Sequence, residues 1–597
     1  MMAGPDSNGA LRSVDNLQAA SSSDLPTFSR RDVSFNSVDW RRRIVTARST
    51  GAADVTLAGG QVVNVFTGEL EEANVAITAG RIAGVGNYSR PGEYIDCRGK
   101  FIAPSFVDPH IHLESSLVWA PEFARAVIPH GTGAVVTDPH EIANVAGLRG
   151  VEALRQAAAH LPMHVRFTAP SCVPASAWES PGAAFGHREV AEMLSWPETV
   201  GLGELMNLSG AVSGDSSMGR KLAAAEGRRK DGHAPSVRGS SLQTYLASGI
   251  HSDHESTSLD EAYEKLRSGL MIMIREGTSA RNLQALLPLA TGLTQARCTF
   301  CSDDRDVLTL LEEGHIDSIV RAAIAQGLDP VVAIRMATWN AADYWRLDGI
   351  GAVAPGYEAN LIVLDSLEAV RVSMTLFQGE VVAREGAMTV ELPEASPPEW
   401  LMSSINVAPL TVASLRLPPE AATRAVVVED GQIVTGIERR LEPKVSGGDA
   451  VADLDRDLLK LVCIERHHAT GRVGAGYVKG FGLRGGAIAS SIAHDAHNIV
   501  AVGVADTDIL AAVEAIVAMQ GGLVVVRDSQ VVARLPLPVG GIMSDQPIRE
   551  VSEGVHAVDE AARSLGSSLR SPFGVLAFVA LSVIPHARIT DKGFVTF

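Results

Sequence analysis

Cysteine is scarce. The five present (Cys97, Cys172, Cys298, Cys301 and Cys463, in 597 residues) are too few for a disulfide framework and odd in number, so a reducing, cytoplasmic compartment is expected. A cationic surplus is also missing. Lys and Arg total 51 against 69 Asp and Glu, a net charge of −18, which argues against nucleic acid as a partner because its phosphates would meet no excess of positive charge. The opening MMAGPDSNGALRSVDNLQAASSSDLP lacks the apolar core of a secretory leader. The most apolar late run, VLAFVALSVIP (575–585), is too short to cross a bilayer and reads as core, so no membrane partner is expected. There is no repeat of fixed period and no long low-complexity segment. These absences leave a globular protein acting on something small, neutral or cationic.

At 46% hydrophobic and 20% charged residues, a chain this long divides into several domains. Residues 1–35, rich in Ser, Asp, Asn and Gly, predict a mobile tail. VDWRRRIVTARST (38–50) reads as a short helix or a docking segment. From Asp54, short β-branched runs alternate with glycine turns, and the same texture returns at 349–386. The expected fold class is therefore α/β, in which segments 36–104 and 346–392 form two parts of one β-sandwich around a (β/α)8 TIM-type barrel at 105–345. Eight apolar runs support the barrel: SFVDPHIH, GAVVTDPHE, HVRFTAPSC, TVGLGE, RKDGHAP, GIHSDHE, LMIMIREG and CTFCSDD, spaced by amphipathic segments such as 147–160, 258–269 and 315–327. Residues 400–597 mix strands with at least one good helix and predict an α+β domain.

Polar residues gather where the eight runs end. His110 and His112 stand two apart on a strand and so face one side together. Alone, the pair is also compatible with two solvated histidines. Strand two, however, ends in Asp138, His140 and Glu141, strand four in Glu204, and strand five in Asp231 and His233. Strand six ends in Asp253, His254 and Glu255, and strand eight in Asp303 and Asp304. Imidazoles and carboxylates converging from six strand ends predict a metal site at the barrel mouth.

These residues resemble the amidohydrolase superfamily. Within it, HIHLESS, DPHEIANV, GLGELM, DGHAP, DHES, IREGTSARN and CSDDR, followed by GFGLRGGAIASSIAHDAHNIVAVG and LPLPVGGIMS, resemble the blocks of the adenine deaminase family in order, from about residue 50 to the end. The resemblance implies a two-metal site with His110, His112, His233, His254 and Asp303 as ligands and Glu204 bridging the ions, where many binuclear relatives carry a modified lysine. It implies two divalent ions, Mn²⁺ or Fe²⁺ first and Zn²⁺ also compatible. It further implies hydrolysis of adenine to hypoxanthine and ammonia in purine salvage, and a homo-oligomer, expected as a dimer. Asp303, Glu204, His254 and Asp138 are the expected catalytic residues. Asp138, Glu141, Glu255, Arg275 and Asp304 are expected at the substrate.

Mononuclear deaminases place a glutamate three residues after the strand-five histidine. Here that position is Ser236, so the acid for the ring nitrogen comes from elsewhere, with Glu204 or Asp138 favoured. Two rivals stay open from the residues: hydrolysis of a cyclic amide or another heterocycle, and a non-catalytic scaffold. His467, His468, His494, Asp495 and His497 in the third region fit either a cover over the barrel mouth or a domain interface. The pairing of HLE (112–114) with CTFC (298–301) is set aside as a zinc deaminase signature, because the two cysteines fall on opposite faces of one strand. Met271 and Met273 read as core.

Overall fold

The structure, a computed structural model, describes residues 25–30, 36–89, 91–430, 434–584 and 586–596. Most of the tail expected to be mobile lies outside these residues. Its segment 25–30 departs from that expectation and is docked: Phe28 is buried, its N–H donates to Glu391 O at 3.0 Å, and its ring meets Phe377 edge-on. One aromatic side chain with a cavity to fill outweighs the polarity of its neighbours. The segment after it does form a helix, Ser37–Ala47, capped by the Asn36 side chain.

The first strands are β1 (Ala53–Asn64), β2 (Glu69–Thr78), β3 (Arg81–Gly86), β4 (Pro91–Asp96) and β5 (Phe101–Pro104). β1 and β2 pair antiparallel with a bulge between Leu57 and Gly60, where Gly59 takes a φ of 72° that a side chain would resist. β5 pairs antiparallel with a strand that follows the central section, through Leu361↔Pro104, so both flanks of that section share one sheet.

The central section carries eight strands, at the eight apolar runs read from the sequence: β6 (Phe106–Ile111), β7 (Thr132–Thr137), β8 (His164–Ala169), β9 (Thr199–Leu205), β10 (Arg229–Gly232), β11 (Ser252–Asp253), β12 (Met271–Arg275) and β13 (Cys298–Cys301). They form a five-stranded parallel sheet, β10-β9-β8-β7-β6, and a three-stranded one, β11-β12-β13. Backbone bonds cross both gaps. His251 N–H donates to Lys230 O at 3.0 Å, and Asp303 N–H donates to His110 O at 3.1 Å while His112 N–H donates to Asp303 O at 3.0 Å. The arrangement is consistent with a TIM-type barrel. Strands such as β6, β7, β12 and β13 are buried on both faces, which is why they read as unbroken apolar runs. Val107, Val136, Met271, Met273 and Trp345 pack together inside, and Trp345 Nε1–H donates to Pro109 O at 2.7 Å.

β14 (Leu361–Leu364), β15 (Val372–Phe377), β16 (Glu380–Arg384) and β17 (Ala387–Met388) complete the flanking sheet. The last region holds an eight-stranded sheet between Arg424 and Pro536. The two-residue period of its strand Leu458–Ile464 sorts the faces. Val462 and Ile464 pack under the helix Asp506–Ala518, whereas Leu459, Leu461 and Cys463 share a cluster with Leu113, Phe123 and Ile142 of the central section. This apolar face presses the last region onto the strand ends of the central one. Among the described residues no helix is long and apolar enough to cross a membrane.

Candidate active site

The six expected ligands come together. On β6 and just beyond it, His110 and His112 turn their Nε2 atoms to the same place. His110 Nδ1–H donates to Asp231 Oδ2 at 2.7 Å and His112 Nδ1–H donates to Asp138 O at 3.0 Å, which fixes each ring. Their Nε2 atoms then lie 3.3 and 3.1 Å from Asp303 Oδ1. Glu204, at the end of β9, sits among imidazoles: His112 Nε2 at 3.2 Å, His233 Nδ1 at 2.6 Å, His254 Nε2 at 3.2 Å and His140 Nδ1 at 3.5 Å. The rings of His110 and His254 stack 3.9 Å apart.

These residues fit metal ions. His110 Nε2 and both ring nitrogens of His254 are buried without a hydrogen-bond partner, an expensive state for polar atoms unless something else binds them. The outer Nδ1 of His110 is held by a carboxylate, as metal-binding imidazoles usually are. The local field also stabilises added positive charge. Burial opposes a charge on His110 and His112, yet Asp231, Asp303 and Glu204 hold both well above the ordinary imidazole range. Burial alone would raise Glu204, but the imidazoles of His233, His112 and His254 around it carry it well below the ordinary carboxylate range. Glu204–His233–His254 and His110–His112–Glu204 each bring their ligand atoms close enough to hold an ion.

Above this floor is a cavity of about 500 Å³, to which Glu141, Glu255, Arg275, Asp304, His494 and Phe578 contribute walls. Arg275 is committed to acids and not free: Nη1 lies 2.7 Å from Asp303 Oδ2 and bonds Glu255 as well. Asp138, expected at the substrate, does not line the cavity. It is 1% exposed, and its Oδ2 accepts the Glu204 N–H at 2.8 Å, so it steadies the backbone of Glu204.

The third-region histidines divide. His467 Nε2–H donates to Ala496 O at 2.7 Å within the last region, and His468 Nε2–H donates to Pro181 O at 2.9 Å across the interface with the central section. His494 and Asp495 instead line the cavity, and His494 Nδ1 lies 2.5 Å from Glu141 Oε1. His497 Nε2–H bonds the other oxygen of Glu141. Glu141 belongs to the first turn of the helix His140–Ala158, which begins earlier than the amphipathic segment at 147–160 and kinks at Gly147 (φ 62°). Three wall residues, Phe578, Leu581 and Ile584, come from the run read only as core, and nothing in that run marks them as facing a site.

Residues 101–382 match the model of the amidohydrolase family, and residues 432–597 match that of the adenine deaminase C-terminal domain. An adenine deaminase of Dehalococcoides mccartyi is 45% identical over 555 residues, 92% of this chain and 96% of that one. The chain belongs to the adenine deaminase family. Its likeness to other members is equally extended: the adenine deaminase of Desulfatibacillum aliphaticivorans is 43% identical over 558 residues, covering 92% of this chain and 97% of its own. The two matched segments are the ones whose contact creates the cavity, the first supplying its floor and the second its cover through His494, Asp495 and Phe578.

Proposed function

We propose that this chain hydrolyses adenine to hypoxanthine and ammonia, as a cytoplasmic purine-salvage enzyme working as a homo-oligomer, a dimer. The observation that carries the reading is Glu204 surrounded by imidazoles at the floor of a cavity, in a chain that matches adenine deaminases over 92% of its length. In this reading residues 105–345 form a closed (β/α)8 barrel, 36–104 and 346–392 a composite β-sandwich, and 400–597 a covering domain.

His110, His112, His233, His254 and Asp303 would hold two divalent ions, Mn²⁺ or Fe²⁺ first and Zn²⁺ also compatible, with Glu204 between them. When bound, such ions bring the pKa of a coordinated water toward neutrality and so supply hydroxide for attack at C6. Asp303 takes the proton released there and passes it toward the departing ammonia, held in place by Arg275 on its other oxygen. His254 orients the attacking oxygen. Ring N1 must gain a proton as C6 becomes tetrahedral. Asp138 does not line the cavity, so this role passes to Asp495, whose Oδ2 is buried without a partner and whose carboxyl burial lifts to about 6. Glu141, Glu255 and Asp304 present acceptors to the purine N–H groups.

Family membership and the six intact ligands favour this reading over a cyclic-amide hydrolase or a silent scaffold. The test is incubation of Mn²⁺-loaded protein with adenine. Equimolar hypoxanthine and ammonia are expected; turnover of dihydropyrimidines or hydantoins without adenine turnover contradicts it.

A further inference from the structure

Beyond the partition made by Glu141, His494 and Phe578 lies a second cavity, about 780 Å³ with the open space at its mouth included. It shares Glu141, Ser279, Asp304, His494 and Phe578 with the first cavity, so the two are neighbouring chambers. On its other side it shares Thr278, Asp306, Asp559 and Ser571 with a surface groove of about 1300 Å³. The three spaces adjoin one another, with Ser279 and Phe578 lining all of them, along the seam between the loop after β12 and the helix Pro572–Phe578. The seam is narrow: a Cβ on Gly574 would lie 3.6 Å from Ser279 Oγ.

The middle chamber has apolar walls, chiefly Leu117, Ile492, Leu523, Ile542, Val555 and Phe573. Among its polar groups one is unsatisfied. Glu114 is 3% exposed; its Oε1 accepts the Ile142 N–H at 3.1 Å, while Oε2 is buried with no partner. An orphaned carboxyl oxygen in such a place calls for a hydrogen-bond partner. Among the described residues no Lys or Arg lines the chamber, whereas Glu114, Asp304, Asp306 and Asp559 do. That composition repels phosphate and suits a flat, uncharged ring system with an N–H edge. Burial lifts the Asp559 carboxyl to about 7, so near neutral pH it can both donate to and accept from such an edge.

We propose that the middle chamber is a second binding site for a free purine base, adenine arriving or hypoxanthine leaving, with an N–H edge turned to Glu114 and the ring between the apolar walls. The inference rests on the first cavity being the place of hydrolysis. The acids of the chamber, Glu114, Asp304, Asp306 and Asp559, disfavour the phosphate of a nucleotide.

Equilibrium dialysis tests it. The metal-loaded enzyme is expected to bind two hypoxanthines per chain at saturation if the site serves departure. Glu204→Gln enzyme is expected to bind two adenines per chain if it serves arrival. Val555→Trp fills the middle chamber from the helix Ile548–Ser564 without reaching the first, whose walls exclude Val555. It should reduce the count to one and raise KM for adenine about tenfold with kcat within about twofold. One base per chain in both dialyses, or a Val555→Trp enzyme that folds with an unchanged count and KM, overturns the proposal. If the tryptophan does not fold, Asp559→Asn keeps the chamber's shape: about tenfold weaker binding at the second site alone supports the proposal, and unchanged affinity overturns it. Failure of the wild type to convert adenine would fall on the proposed function, whereas normal conversion with one base per chain falls on this inference only.

Discussion

His494 Nδ1 lies 2.5 Å from Glu141 Oε1, although 353 residues separate the two in sequence. The bond joins the covering region to the helix that rises from β7. Burial disfavours a charge on His494, but the Glu141 carboxylate outweighs it and brings the imidazole to about 9. His494→Ala removes one grip on Glu141 and part of the cavity wall while leaving the ligand cluster intact. Loss of kcat/KM for adenine by about a hundredfold is expected from the misplaced wall, with metal content per chain unchanged. Atomic absorption alongside kinetics checks both numbers.

The Lys265 side chain is fully buried beneath the strand-six loop. Its Nζ donates to Ala234 O at 2.6 Å, Glu261 Oε1 at 2.8 Å and Asp253 Oδ2 at 2.9 Å. Asp253 in turn accepts the Ala234 N–H at 3.0 Å, so one ammonium organises the residues next to His233 and His254. Lys265→Met leaves two buried carboxylates without their cation, and about 3–5 kcal/mol of stability should be lost. Urea unfolding at neutral pH measures it; a loss near zero would show that the acids are neutralised in another way.

The sequence made the floor of the site legible because each apolar strand run ends at a chemically distinctive residue: His110 and His112, Glu204, His233, His254, Asp303. Burial of the strands on both faces produced those runs, and the same burial forced polar groups to their ends. The cover was not legible. Whether His494 or His467 reaches the barrel depends on which face of the last sheet docks, and the two histidines look alike in sequence. Phe578 and Phe28 carry the same lesson in reverse, since an apolar residue in an apolar run or in a polar tail does not show what it will touch. Asp138 ends β7 as expected, but only the fold reveals that its carboxyl is taken by the Glu204 N–H.

Asp317 and His130 form a pair whose contribution depends on pH. His130 Nδ1 lies 3.2 Å from Asp317 Oδ2. Burial would raise Asp317, yet His130 and Arg321 bring it down to about 2, while Asp317 overcomes burial to raise His130. The depressed carboxylate contributes stability that is present above its unfolded value near 3.8 and lost as pH falls through about 2; the difference corresponds to roughly 2 kcal/mol. The raised imidazole contributes stability that is present below its unfolded value of 6.5 and lost as pH rises through its folded one. Asp317→Asn should therefore cost more at pH 5.5 than well above the His130 transition. Urea midpoints of both proteins at the two pH values decide it, and an equal cost at both would contradict the pairing.

Glu204 and the five ligands around it would together hold two ions that support the hydrolysis of adenine. Ions per chain and adenine turnover, measured on the same preparations of wild type, His112→Ala and Glu204→Gln, test it most directly. The wild type is predicted to hold two ions and to form hypoxanthine. His112→Ala should lose metal and turnover together, and Glu204→Gln should keep at most one ion with kcat/KM lowered by about a thousandfold or more. Two ions and wild-type turnover in either variant would contradict the account.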